Sequence, residues 1–166
     1  EEIKALREEQ ARTWKAIEGL QATTSALSLR IDEMYRGLSS AMLYVFGELR
    51  KFAGLTFEEF VRMFLTERMR KSGEISMDSE FKSVEVEGEQ IDLFLEEPLI
   101  VGEVTAHAES IDEMEKLLRK AKIIAEKFGR EPLKLLVIET APKQVARELR
   151  KRADEEGVEL ILGKEV

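Results

Sequence analysis

From Ile3 through Val45 mostly apolar residues recur at positions that step by threes and fours with no intervening proline, and a chain carrying such a run must find something to cover it. Written as heptads, the a positions are Ile3, Gln10, Ile17, Thr24, Ile31, Leu38 and Val45, and the d positions are Leu6, Thr13, Leu20, Leu27, Met34 and Ala41. This pattern predicts one long helix over residues 1–53 that cannot bury its own stripe. A homo-oligomeric coiled coil, a dimer at its simplest, is the first solution; a helix folded back onto its own domain is the other. Gln10, Thr13 and Thr24 weaken the seam, and polar residues at core positions are a known device for fixing register or oligomer state. Since the sequence opens inside the heptad pattern at Glu1, it is expected to be a fragment of a longer chain.

The remaining residues, 54–166, suffice for one domain, and 43% apolar residues over the chain can supply its core. No run approaches the roughly 20 apolar residues of a membrane span and no signal-peptide pattern opens the sequence, so a cytoplasmic protein is expected. Cysteine is absent, which removes disulfides and thiolate chemistry, and the single His107 removes sites built from several imidazoles. The sequence has no Gly-x-Ser-x-Gly elbow, no Gly-x-x-x-x-Gly-Lys phosphate loop and no Gly-x-Gly-x-x-Gly. What remains is carboxylate chemistry or none. Charged residues at 36%, with no asparagine and no cysteine, resemble thermophile usage. A net charge of −8 argues against a general nucleic-acid coat. Two basic clusters, Arg62, Arg68, Arg70 and Lys71, and Lys116, Arg119, Lys120 and Lys122, fall on predicted helices and read first as solvated faces.

Beyond Val45 the heptad register loosens, and Phe46, Leu49, Phe52 and Leu55 look like residues packing onto a globular domain. Thr56-Phe-Glu-Glu59 is a capping box, with Leu55 and Phe60 placed as a hydrophobic staple, and Gly73 is positioned to end that helix. Phe81–Val86 reads as a strand, followed by a turn at Glu87-Gly88-Glu89. Ser110-Ile-Asp-Glu113 is a second capping box, opening a helix that ends near Gly129. The run Leu133–Ile138, apolar except for Lys134, reads as a strand buried on both faces. Pro142 suits the first turn of a last helix, Gly157 ends it, and Val158–Leu162 is the last strand. The expected order is helix, three strands, helix, strand, helix, strand.

Between these lies Gln90 to His107, with period-2 alternation in both halves. Ile91, Leu93 and Leu95 share one side of the first strand, and Leu99, Val101 and Glu103 share one side of the second. Glu96, Glu97 and Pro98 turn the chain. A turn of two or four residues sets Asp92 directly across from Glu103, and opposed side chains sit about 5 Å apart at Cβ, where like charges are destabilising. A divalent cation would compensate them, because hard cations prefer carboxylate oxygens. The alternative is a solvated sheet face whose register is broken by a three-residue loop.

On these residues the chain from about Thr56 to Val166 resembles the PD-(D/E)xK nuclease superfamily, in particular its archaeal branch related to Holliday-junction resolvases and Mrr-type enzymes. The resemblance implies an α/β fold with a restriction-endonuclease-like core, a mixed central sheet flanked by helices. It implies a metal-dependent DNA endonuclease using Mg²⁺ or Mn²⁺, with Asp92 matching the first acid and Glu103-Val104-Thr105 the (D/E)-x-K motif. Glu59, or alternatively Glu58, would be the helix acid that joins the metal. Thr105 stands where the family has its catalytic lysine, and Lys82, Lys116 or His107 are the candidates to replace it. The competing expectation is a degenerate nuclease fold retained as a scaffold for DNA or protein partners.

Overall fold

A computed structural model of the chain describes residues 1–166, apart from the side chains at positions 32, 35, 38, 39, 46, 47 and 49–53. The expected packing of Phe46, Leu49 and Phe52, and Leu38 of the heptad stripe, lie outside the described residues. The element order is α1 (Glu2–Ala53), α2 (Phe57–Ser72), β1 (Lys82–Val86), β2 (Glu89–Leu95), β3 (Ile100–His107), α3 (Asp112–Phe128), β4 (Leu133–Ala141), α4 (Lys143–Glu156) and β5 (Val158–Glu165).

The chain divides into two compact units, Glu1–Leu38 and Ser39–Val166. The first is wholly helical. The second takes in the end of α1, where Leu43 is fully buried in the core and Lys164 Nζ lies 5.1 Å from the ring centre of Tyr44. The globular unit therefore begins within the long helix, earlier than the expected boundary at residue 54.

The sheet has the order β1-β2-β3-β4-β5. The first three strands form an antiparallel meander; β3–β4 and β4–β5 pair in parallel through the crossover helices α3 and α4. Both crossover helices pack on one face, as crossovers of the same hand in one direction require. There Met114, Leu117 and Ile124 of α3 and Leu149 and Ala153 of α4 cover Val101, Leu136, Ile138 and Leu162. The opposite face is covered by Phe57, Val61 and Leu65 of α2 together with Leu43. Consecutive residues of β4 enter different cores, Leu136 and Ile138 one and Leu135 and Val137 the other, as the apolar stretch Leu135–Ile138 predicts.

Local signals place most boundaries. Thr56 caps α2 with the complete reciprocal box to Glu59, and Gly73, Gly129 and Gly157 close α2, α3 and α4 in left-handed conformation. The second expected box does not form. Helix α3 starts at Asp112 after Ile111 with no side-chain cap; Ser110 Oγ accepts only the Asp112 N–H at 3.2 Å, and Glu113 turns forward to Lys116 at 2.8 Å.

The central hairpin has the predicted register and an unpredicted irregularity. Its turn holds four residues, 96–99, so Leu95 pairs with Ile100, Phe94 with Val101 and Leu93 with Gly102. One further step of that ladder sets Asp92 opposite Glu103. On the other edge of β2, Lys82 pairs with Phe94 but Val84 pairs with Ile91, so Asp92 and Leu93 together oppose Ser83. This β-bulge inverts the alternation. Leu93 and Leu95 pack under α2, whereas Ile91 joins the core under α3, contrary to the expectation that all three share a side.

Candidate functional site

The bulge delivers Asp92 to the place where β2 and β3 part. Ladder pairing stops at Leu93 and Gly102, and the Asp92 carboxylate takes over: its Oδ2 accepts the Val104 backbone N–H at 3.0 Å. From α2, Arg62 donates to the Asp92 carbonyl at 3.2 Å and clamps the bulge from the other face. Gly102 makes the approach feasible, since a Cβ there would lie 2.9 Å from Leu93 Cβ and 3.1 Å from the Leu135 carbonyl oxygen.

Glu103 follows on β3 and is 7% exposed. Its Oε2 receives Lys120 Nζ at 2.7 Å, an ion pair between two buried side chains. Burial pushes the Glu103 carboxyl up to about 6; the hydrogen bond from Lys120 opposes that shift, and the charges of Asp92 and Glu113 add to it. Burial likewise raises Asp92 above the usual carboxylate range, opposed by the Val104 N–H and the charge of Lys120 and reinforced by Glu58. The two acids thus share a partly dehydrated, electronegative corner in which Lys120 is the principal positive charge.

Lys120 was legible only in retrospect. Its neighbours in the basic cluster suggest a solvated face, but it lies three residues after Leu117 and four before Ile124, on the buried stripe of α3. A cation on an apolar helical stripe signals a buried acid across from it. The other candidates for the lysine role pair with other groups or lie exposed. Lys116 pairs with Glu113, and Lys82 is an exposed residue of the edge strand β1. His107 Nδ1 lies 2.8 Å from Thr140 Oγ1, which is also within 3.1 Å of the Ala106 carbonyl, so the imidazole is tied to β4. Thr105 is partly exposed, with a long 3.4 Å contact to the His107 carbonyl.

Glu59 has the capping role, its Oε2 accepting the Thr56 N–H at 3.0 Å. The helix acid whose charge reaches Asp92 is Glu58. Among the described residues no three His, Cys, Asp or Glu side chains converge as a metal-binding group. Two carboxylates nevertheless fit magnesium chemistry, since that ion keeps several waters and takes one or two protein carboxylates together with substrate phosphates. Glu103 Oε1 and Asp92 Oδ1 are the oxygens outside the hydrogen bonds described above.

No family model matches the chain, and no curated protein or solved structure matches it. Among the described residues no helix is long and apolar enough to cross a membrane.

Proposed function

We propose that the globular unit is a metal-dependent phosphodiesterase acting on DNA, built on a restriction-endonuclease-like core. The observation that carries this reading is the convergence of Asp92, from a bulge, with Glu103 and the buried Lys120 where two strands part. The order of elements and the antiparallel-then-parallel sheet support the same assignment.

Asp92 and Glu103 would hold Mg²⁺ or Mn²⁺. The chemistry such an ion supplies is Lewis-acid polarisation of the phosphodiester and a bound water of lowered pKa. Lys120 fixes the orientation of Glu103 and offers its remaining ammonium protons to a phosphate oxygen, the electrostatic work that the Thr105 hydroxyl cannot do. Homodimers formed through the N-terminal helix would present two such sites to duplex or branched DNA. Plasmid and branched-DNA cleavage with Mn²⁺ tests the reading. Activity should vanish in Asp92→Asn and Glu103→Gln and fall about 10²-fold or more in Lys120→Met. A purified chain that nicks no DNA with any divalent metal would refute it.

One observation favours the second reading, a non-catalytic scaffold: Glu103 already has a cation at 2.7 Å, so its own charge is balanced without metal. Calorimetry separates the two. Magnesium heat that disappears in Asp92→Asn belongs to the enzyme, whereas no heat belongs to the scaffold. Cleavage that emerges only in Thr105→Lys would mark the natural chain as inactive.

A further inference from the structure

The largest feature that the proposed chemistry leaves unused is the apolar stripe of α1. Within the unit Glu1–Leu38, Ile3 is 69% exposed, Leu20 68% and Met34 67%, and Leu6, Leu27 and Ile31 are also bare. We infer that residues 3–34 form a parallel, two-stranded, in-register coiled coil with a second copy of this chain, over a length of about 46 Å.

The shapes of the knobs select this arrangement. The apolar a residues Ile3, Ile17 and Ile31 are β-branched, while Leu6, Leu20 and Leu27 stand at d. Isoleucine at a with leucine at d suits parallel dimers, and other distributions of the same residues favour three or four strands.

The polar seam residues point the same way. Thr13 Oγ1 donates to the Glu9 carbonyl at 3.0 Å and Thr24 Oγ1 to the Leu20 carbonyl at 2.8 Å. Each hydroxyl is satisfied by its own helix, as is that of Thr23 on the flank, so the seam threonines can turn a methyl to the partner without orphaning a polar group. Gln10 is then the one polar a residue whose amide needs the partner. In a parallel pair it meets its own counterpart, and two amides can exchange hydrogen bonds. In an antiparallel pair with the stripes aligned end to end, Gln10 faces Leu27 at both crossings and both amides are stranded.

The flanks add charge complementarity. Parallel pairing sets each g residue beside the e residue five positions on, so Glu2 lies against Arg7 of the second copy. The next pairs, Glu9 with Trp14, Ala16 with Gln21 and Thr23 with Ser28, contain no like charges. Both globular units then continue from the same end of the coil. The inference is independent of the chemistry proposed at Asp92 and Glu103, and Asp92→Asn should dimerise as the unaltered chain does.

The chain has no cysteine, so single introduced thiols report the geometry directly. Under mild oxidation Leu6→Cys and Met34→Cys, both at d, should each give disulfide-linked dimers at least tenfold more efficiently than Ala22→Cys on the outer face. Light scattering of the unaltered chain should give twice the 19.0 kDa chain mass. A disulfide that forms only when Leu6→Cys is mixed with Ile31→Cys would establish an antiparallel pair and overturn the inference. Equal cross-linking of Ala22→Cys would overturn it too, as would the mass of one chain or of three.

Discussion

At Glu103 and Lys120 two charges taken out of water persist because each satisfies the other. Their mutual attraction is largely spent on desolvation, but removing one partner strands the other, which typically costs about 3–5 kcal/mol. Lys120→Ala should therefore destabilise the globular unit by about that amount at pH 8 in metal-free buffer, measured by urea denaturation. The pH dependence follows from Glu103. Its folded value, about 6, is above the 4.5 of a free glutamate, so between these values the folded state binds the extra proton. The stability contributed by the neutral carboxyl is complete below about 4.5 and is lost as pH rises through about 6. Removing Lys120 takes away an influence that lowers the Glu103 value, so ionisation becomes costlier still. The deficit of Lys120→Ala should shrink towards pH 5 and grow towards pH 8; a deficit independent of pH would dissociate it from Glu103.

Among the elements, the β2–β3 hairpin shows how close backbone approach governs the site. Gly102 pairs with Leu93 beside the bulge, and β4 lies on its other edge with Leu135 as the partner of Gly102. A methyl at residue 102 has nowhere to go without moving a strand, because its nearest neighbours include the Leu135 carbonyl as well as the Leu93 side chain. Gly102→Ala should cost about 1–3 kcal/mol of stability, in the range of an overpacked core. Amide exchange should show the loss concentrated in β2 and β3, with the Val104 N–H losing protection as Asp92 shifts. Undisturbed protection at Val104 would mean that the hairpin absorbs the methyl elsewhere. The turn of four residues is what gives the odd pairing sum and brings Asp92 opposite Glu103, but the bulge opposite Ser83 decides which way the side chains around Asp92 face.

Across the whole molecule, two units with different demands share one chain. Ser39–Val166 has its own two-sided core, whereas Glu1–Leu38 exposes its apolar stripe, which is where the proposed second copy would pack. The only tryptophan, Trp14, lies in the helical unit at an e position and is 59% exposed. On heating, its fluorescence should report a transition whose midpoint rises with protein concentration, while the loss of sheet signal by circular dichroism should not move, since association is linked to mass action and the globular core is not. Coincident transitions at every concentration would join the units into one cooperative body. How much of this was written in the sequence divides along the range of the forces involved. The capping box at Thr56 and Glu59, the glycines that end three helices, the strand at Leu133–Ile138, buried from Leu135 on, and the heptad-patterned helix α1 were all legible, because each depends on residues a few positions apart. The box expected at Ser110 failed because Glu113 found Lys116, a local competitor that the motif does not weigh. The bulge at Asp92, the capture of the Val104 N–H and the burial of Lys120 against Glu103 were not legible. These depend on how far two strands run together and on which helical residue lies over them; the spacing of Lys120 from Leu117 and Ile124 marks a position on the buried stripe but does not say which acid it meets. By itself the sequence determined the elements and their order, and left the facing of Asp92 and Glu103 to the length of the turn. Only the tertiary structure decided that a lysine from α3 would join them, because a buried charge is matched by whichever opposite charge the packing brings within reach.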